Sequence, residues 1–191
     1  MWVWKAAALI FGLPMLARLA TSGSMRMSKA PRALVLVPTR ELAMQVADAL
    51  RPLGEALGLK LCCVFGGAPY GKQIDALNRG VDLVVATPGR LIDLLELRCL
   101  VLSGVEVSVI DEADHMADRG FLPAVTTILD QTALDGQRML FSATLDRGVD
   151  KLVRAYLKDP QAKVKGNRMP FAGLSDPKDI DDVIAFLKQY K

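Results

Sequence analysis

Five short apolar runs, each ended by a polar or glycine-containing motif, constrain this chain more than any other feature. They cover 33–38 (ALVLVP), 60–65 (KLCCVF), 82–86 (DLVVA), 105–111 (VEVSVID) and 138–143 (RMLFSA). Most are apolar on consecutive residues, the pattern of strands buried on both faces. Helical spacing fills the gaps. Between 40 and 57 the apolar positions are Leu42, Val46, Ala49, Leu50, Leu53 and Leu57, with Pro52 placed to kink the helix. Further helices are predicted over 70–79, closed by Gly80, over 89–97 and over 121–131. Strand and helix in alternation predict an α/β fold: a parallel sheet flanked by helices on both faces. Ligands of such sheets bind at the carboxyl ends of the strands.

Composition narrows the alternatives. Of 191 residues, 51% are hydrophobic and only 6% aromatic, so the core is aliphatic. A net charge of +3 does not by itself imply nucleic acid. Cys62 and Cys63 are adjacent and Cys99 is remote, which excludes a disulfide framework and fits a reducing, cytoplasmic setting. With His115 the only histidine, a conventional histidine-based metal site is not expected. The uncharged run 6–17 contains Gly12 and Pro14 and falls short of the roughly 20 residues a membrane span needs. Lys5 ahead of it gives the outline of a signal peptide, but Trp2 and Trp4 fit poorly and no small-x-small cleavage site follows. Residues 1–20 are therefore expected to form a buried helix, followed by a surface loop over 21–31, with no membrane contact.

The chemistry gathers where the strands end. Asp111-Glu112-Ala113-Asp114 follows VSVI. There Asp111 can hold Mg²⁺ through water while the metal bridges nucleotide phosphates, and Glu112 can act as general base toward water. Thr39-Arg40 follows the first strand, Gly66-Gly67 the second, Thr87-Pro88-Gly89-Arg90 the third, and Ser142-Ala143-Thr144 ends the fifth. Hydroxyls, arginines and helix N-termini suit a phosphate backbone. Taken singly, Thr39 and Thr87 are simply good helix caps. Capping does not account for five such motifs on one edge of one sheet.

PTRELA, GG, TPGR, DEAD and SAT, in this order over about residues 9–160, resemble the DEAD-box ATP-dependent RNA helicases. The resemblance implies the first RecA-like domain of that family and ATP-dependent binding and unwinding of RNA. It implies that Asp111 and Glu112 serve Mg²⁺ and ATP, and that Asp114, Ser142 and Thr144 couple hydrolysis to domain closure. Thr39, Arg40, Gly67, Thr87, Gly89 and Arg90 would face the backbone of single-stranded RNA, without regard to base sequence. His115 is expected at the surface or in coupling rather than as a ligand. The family's phosphate loop, G-x-x-x-x-G-K-[ST], is not found in the 191 residues, so weak nucleotide binding is expected.

Residues from about 155 to 191 resemble instead the carboxyl end of class I cytochromes c. Met169 stands where that family has its haem axial ligand, and 177–191 reads as a helix capped by Asp176. No C-x-x-C-H exists for haem attachment, so Met169 is expected to be a packing residue and haem to be absent. Lys151, Arg154, Lys158, Lys163, Lys165 and Arg168 form a basic cluster that could supplement phosphate contacts or simply be solvated. The expected organisation is a truncated helicase-like domain over 1–160 with an appendage over 161–191. An electron-transfer protein and a non-functional composite are the rival expectations.

Overall fold

The computed structural model describes residues 2–133, 135–144 and 148–158. The expected appendage over 161–191, with Met169 and the basic residues beyond Lys158, lies outside the described residues. Five strands, β1 (Ala33–Leu36), β2 (Leu61–Val64), β3 (Leu83–Ala86), β4 (Val107–Ile110) and β5 (Gln137–Leu140), form one sheet in the order β2-β3-β1-β4-β5. Every pairing is parallel. All carboxyl ends therefore share one edge. Each strand is a residue or more shorter than its apolar run; in all but β3, which runs to the end of its apolar stretch at Ala86, the last residues of the run already turn toward the motifs.

Side-chain alternation sorts the core into two layers. Ala33, Val35, Val37, Val107 and Val109 pack on one face, beneath α1 (Trp2–Thr21) and α2 (Arg40–Ala56). Leu34, Leu36, Val84, Ala86 and Ile110 face the opposite layer. That layer holds α3 (Tyr70–Asn78), α4 (Pro88–Glu96), α5 (Ala113–Asp118), α6 (Leu122–Leu129) and α7 (Val149–Lys158). The loops leaving β1 and β4 run to opposite faces, which opens a crevice outside their carboxyl ends.

Helix α1 forms as expected, although it contains Gly12 and Pro14, because Ala8, Phe11, Met15 and Leu19 bury one stripe against the sheet and α2. Gly12 is the point of closest approach: a Cβ there would collide with the Leu50 side chain of α2. Helix α2 continues through Pro52. No helix among the described residues is long and apolar enough to cross a membrane.

Candidate functional site

At the carboxyl end of β4 the chain turns sharply. Glu112 adopts φ 53°, ψ 52°, a left-handed conformation that non-glycine residues seldom take and that is often found at functional sites. The turn is held by backbone bonds from Asp111 N–H to Leu36 O (3.0 Å) and from Ala113 N–H to Phe141 O (3.1 Å). Asp111 Oδ1 accepts the Glu112 N–H at 3.0 Å. His115 Nδ1 lies 3.0 Å from Glu112 Oε2, within hydrogen-bonding distance. His115 is exposed, as expected for a surface residue. Burial is the first cause that pushes Asp111 up to about 6; the neighbouring Glu112 and Asp114 charges add to it.

Asp114 reaches the segment after β5. Its N–H donates to Ser142 Oγ at 3.1 Å, Ser142 Oγ donates to Thr144 O at 2.5 Å, and Thr144 Oγ1 donates to Asp114 Oδ2 at 3.5 Å. The three residues expected to act together thus meet directly.

The neighbouring strand ends carry the remaining motifs. Thr39 caps α2, its Oγ1 accepting the Leu42 N–H at 3.2 Å. Thr87 precedes α4 but makes no side-chain capping bond, so capping explains one threonine and not the other. Arg40 is exposed, and its guanidinium lies 5.2 Å from the Phe65 ring. Gly67 has φ +75°, which favours glycine, and a Cβ there would stand 3.6 Å from Arg40 Nη1. Gly89 is exposed in the first turn of α4. Arg90 is engaged with protein: Nη1 donates to Ala68 O (2.9 Å), the guanidinium stacks 3.9 Å from the Tyr70 ring centroid, and Nε lies 3.7 Å from Asp93 Oδ2.

Four contributors escaped sequence reasoning. Tyr70, Gln73 and Asp93 surround the 65–69 loop, and Phe65 lies within it. The Tyr70 hydroxyl donates to Asp93 at 2.8 Å, and this bond is the first cause raising the phenol above its usual range. Buried Gln73 carried the one available signal, a polar residue on the same helical stripe as Leu77.

The profile of the DEAD/DEAH box helicase family matches residues 8–152. The chain belongs to this family. It is 43% identical over 159 residues to DEAD-box ATP-dependent RNA helicase 30 of Arabidopsis thaliana, covering 83% of this chain and 27% of that protein. It is 48% identical over 130 residues to ATP-dependent RNA helicase DBP2 of Scheffersomyces stipitis, covering 68% and 24%. The chain thus spans about a quarter of the length of the curated relatives it matches. Among solved structures, the yeast DEAD-box splicing factor Prp28 superposes with a TM-score of 0.71 at 33% identity, over 78% of this chain and 36% of that one. A hypothetical ATP-dependent RNA helicase from Sulfolobus tokodaii gives 0.70 at 37%, over 80% and 43%. The RecA-like sheet of this DEAD-box chain is therefore shared with its structural neighbours.

A nucleotide-bound Mg²⁺ fits the β4 end in part. Asp111, whose affinity for protons is raised by burial and by the neighbouring Glu112 and Asp114 charges, would be relieved by a cation. Yet among the described residues no group of three or more His, Cys, Asp or Glu could hold a metal ion. Asp111 would therefore have to share the ion with water and phosphate oxygens, the usual habit of Mg²⁺.

Proposed function

We propose that this chain is the RNA-contacting, carboxylate-bearing lobe of a DEAD-box RNA helicase, serving ATP-dependent RNA binding and unwinding, with nucleotide affinity impaired in these 191 residues. The observation that carries the reading is the convergence of five motif segments on one sheet edge, with Asp114 joined to Ser142 and Thr144. Asp111 would hold Mg²⁺ through water, and bound Mg²⁺–ATP would supply the phosphoryl group for hydrolysis. Glu112 would accept a proton from water, its left-handed turn setting the carboxylate beside His115. The Asp114–Ser142–Thr144 tie would pass a change at β4 to the segment after β5.

RNA would lie along the same edge, with backbone oxygens meeting Thr39, Arg40, Gly67, Thr87 and Gly89. Contacts of this kind are made to phosphate and sugar, so they position the strand without reading bases. The impairment rests on the sequence: no G-x-x-x-x-G-K-[ST] stretch is present to cradle phosphates with backbone N–H groups and a lysine.

Titration of the purified chain with single-stranded RNAs of different sequence, at several salt concentrations, tests the RNA half. The expected result is similar affinity for each RNA, falling linearly with log salt. No binding at low salt would overturn it. Calorimetry with an ATP analogue and Mg²⁺ tests the other half, with a Kd of about 1 mM or weaker expected. Micromolar binding would refute the impairment.

A further inference from the structure

We propose that Gln73, Tyr70, Arg90 and Asp93 form a brace that fixes the backbone of the 65–69 loop, and that Arg90 acts on RNA through this loop rather than by touching phosphate. The second clause rests on the RNA reading above; the brace does not.

The loop needs a brace because of where it starts. Strand β2 is an edge of the sheet. Val64 O still accepts the Thr87 N–H across to the β3 side, at 2.9 Å. Successive backbone groups alternate in direction, so those of Phe65 face away from the sheet. Gln73 supplies what a missing strand would. Its Oε1 accepts the Phe65 N–H and its Nε2 donates to Phe65 O, both at 3.2 Å. At 6% exposure this amide is sequestered from water, where two satisfied bonds matter most.

Three residues further on, Arg90 holds the other end of the loop through Ala68 O. One face of its guanidinium lies on Tyr70, an arrangement favourable to a cation. Asp93 accepts from the Tyr70 hydroxyl and stands beside Arg90 Nε, linking ring and guanidinium. The Arg90 side chain is only 9% exposed as a result. Between the two anchors lie Gly66 and Gly67, free of side chains.

Arg40 makes the contrast. It is exposed, and among the described residues its guanidinium makes no hydrogen bond or ion pair, only the contact over Phe65. The two motif arginines therefore divide the work: Arg40 is placed to meet a phosphate, and Arg90 sets the loop.

Two measurements test this on the full chain. Hydrogen exchange over 65–69 needs no RNA. Gln73→Leu should lose protection at the Phe65 amide by about fivefold or more, and Arg90→Gln should accelerate exchange across the loop. Tyr70→Phe, which keeps the ring and removes one hydrogen bond, provides a milder variant if the others fold poorly, and should accelerate the loop less. Unchanged exchange in all three would overturn the brace. RNA affinity as a function of salt tests the division of work. Removing a phosphate contact lowers the salt slope by about one unit, so Arg40→Ala should do this. Arg90→Gln should weaken binding about fivefold with the slope unchanged, and Arg90→Lys should not restore it, because lysine keeps the charge but not the stacked, planar fork. A slope lowered by Arg90→Gln and restored by Arg90→Lys would show a direct phosphate contact and overturn the proposal. If the wild-type chain binds no RNA, the RNA reading fails and with it the role given to Arg90, while exchange still decides the brace.

Discussion

Two aspartates at opposite ends of the same sheet show how differently one residue type can be used. Asp82 precedes β3 at the amino end and is 2% exposed. Arg26 Nε lies 2.7 Å from its Oδ2, Arg32 Nη1 3.5 Å from its Oδ1, and the Lys60 N–H donates to Oδ2 at 2.8 Å. Arg32 in turn bonds Glu106, Leu19 O and Ser22, tying α1 and its following loop to the sheet. Asp111 follows β4 at the carboxyl end, partly buried, with Glu112 and Asp114 as its charged neighbours. One end surrounds its carboxylate with partners and closes the fold. The other crowds carboxylates together, and Asp111 there has like charges rather than arginines as its neighbours.

The largest effect should come from the amino end. Asp82→Ala would leave Arg32 buried with only part of its compensation. Breaking a buried pair this way costs about 3 kcal/mol or more. Urea unfolding monitored by circular dichroism should show the midpoint fall sharply with little change in slope. A cost below about 1 kcal/mol would erase the distinction between the two ends.

Sequence alone does not disclose that network. Arg26, Arg32, Asp82 and Glu106 are up to 80 positions apart in the chain, and no periodicity links them. The layered fold is legible because burial on two faces writes itself into consecutive apolar residues, as in ALVLV and DLVVA, and helical stripes into spacing. The motif residues are legible for a related reason: strand ends in a parallel sheet share an edge, so position after an apolar run is enough to place them. Helix α5 is not, because its six residues are too few for a stripe to show. Nor is the engagement of Arg90, which looks like any exposed basic residue until Tyr70 and Asp93 are brought beside it. The threonines divide the same way, since a cap and a free hydroxyl share one sequence context.

The second effect should have the opposite sign. The folded pKa of Asp111, about 6, lies above the ordinary 3.8. Between about pH 4 and pH 6 the folded chain keeps a proton that the unfolded chain has released. Stability contributed here is therefore lost as pH rises through that window and stays lost above it. Asp111→Asn should remove the loss. Above pH 6, in chelator, it should gain about 1 kcal/mol after allowance for solvent screening. Thermal melts from pH 4 to pH 8 should show a downward trend in wild type that flattens in the variant. A variant less stable than wild type at pH 7 would mean that Asp111 is held by favourable partners after all, like Asp82.

A smaller comparison separates the two threonines at the carboxyl end. Thr39 Oγ1 accepts an N–H of the first turn of α2, so Thr39→Ala should cost about 1 kcal/mol. Thr87 makes no such bond, and the first turn of α4 is already helped by Pro88, whose missing N–H needs no partner. Thr87→Ala should therefore change stability by no more than about 0.5 kcal/mol. If its hydroxyl is instead directed to RNA, the same substitution should weaken RNA binding about fivefold, the value of one net hydrogen bond. Stability and affinity then move independently at Thr87 and together at Thr39. Equal losses of stability from the two variants would show that Thr87 also supports its helix, and unchanged RNA affinity in Thr87→Ala would remove Thr87 from the proposed RNA surface.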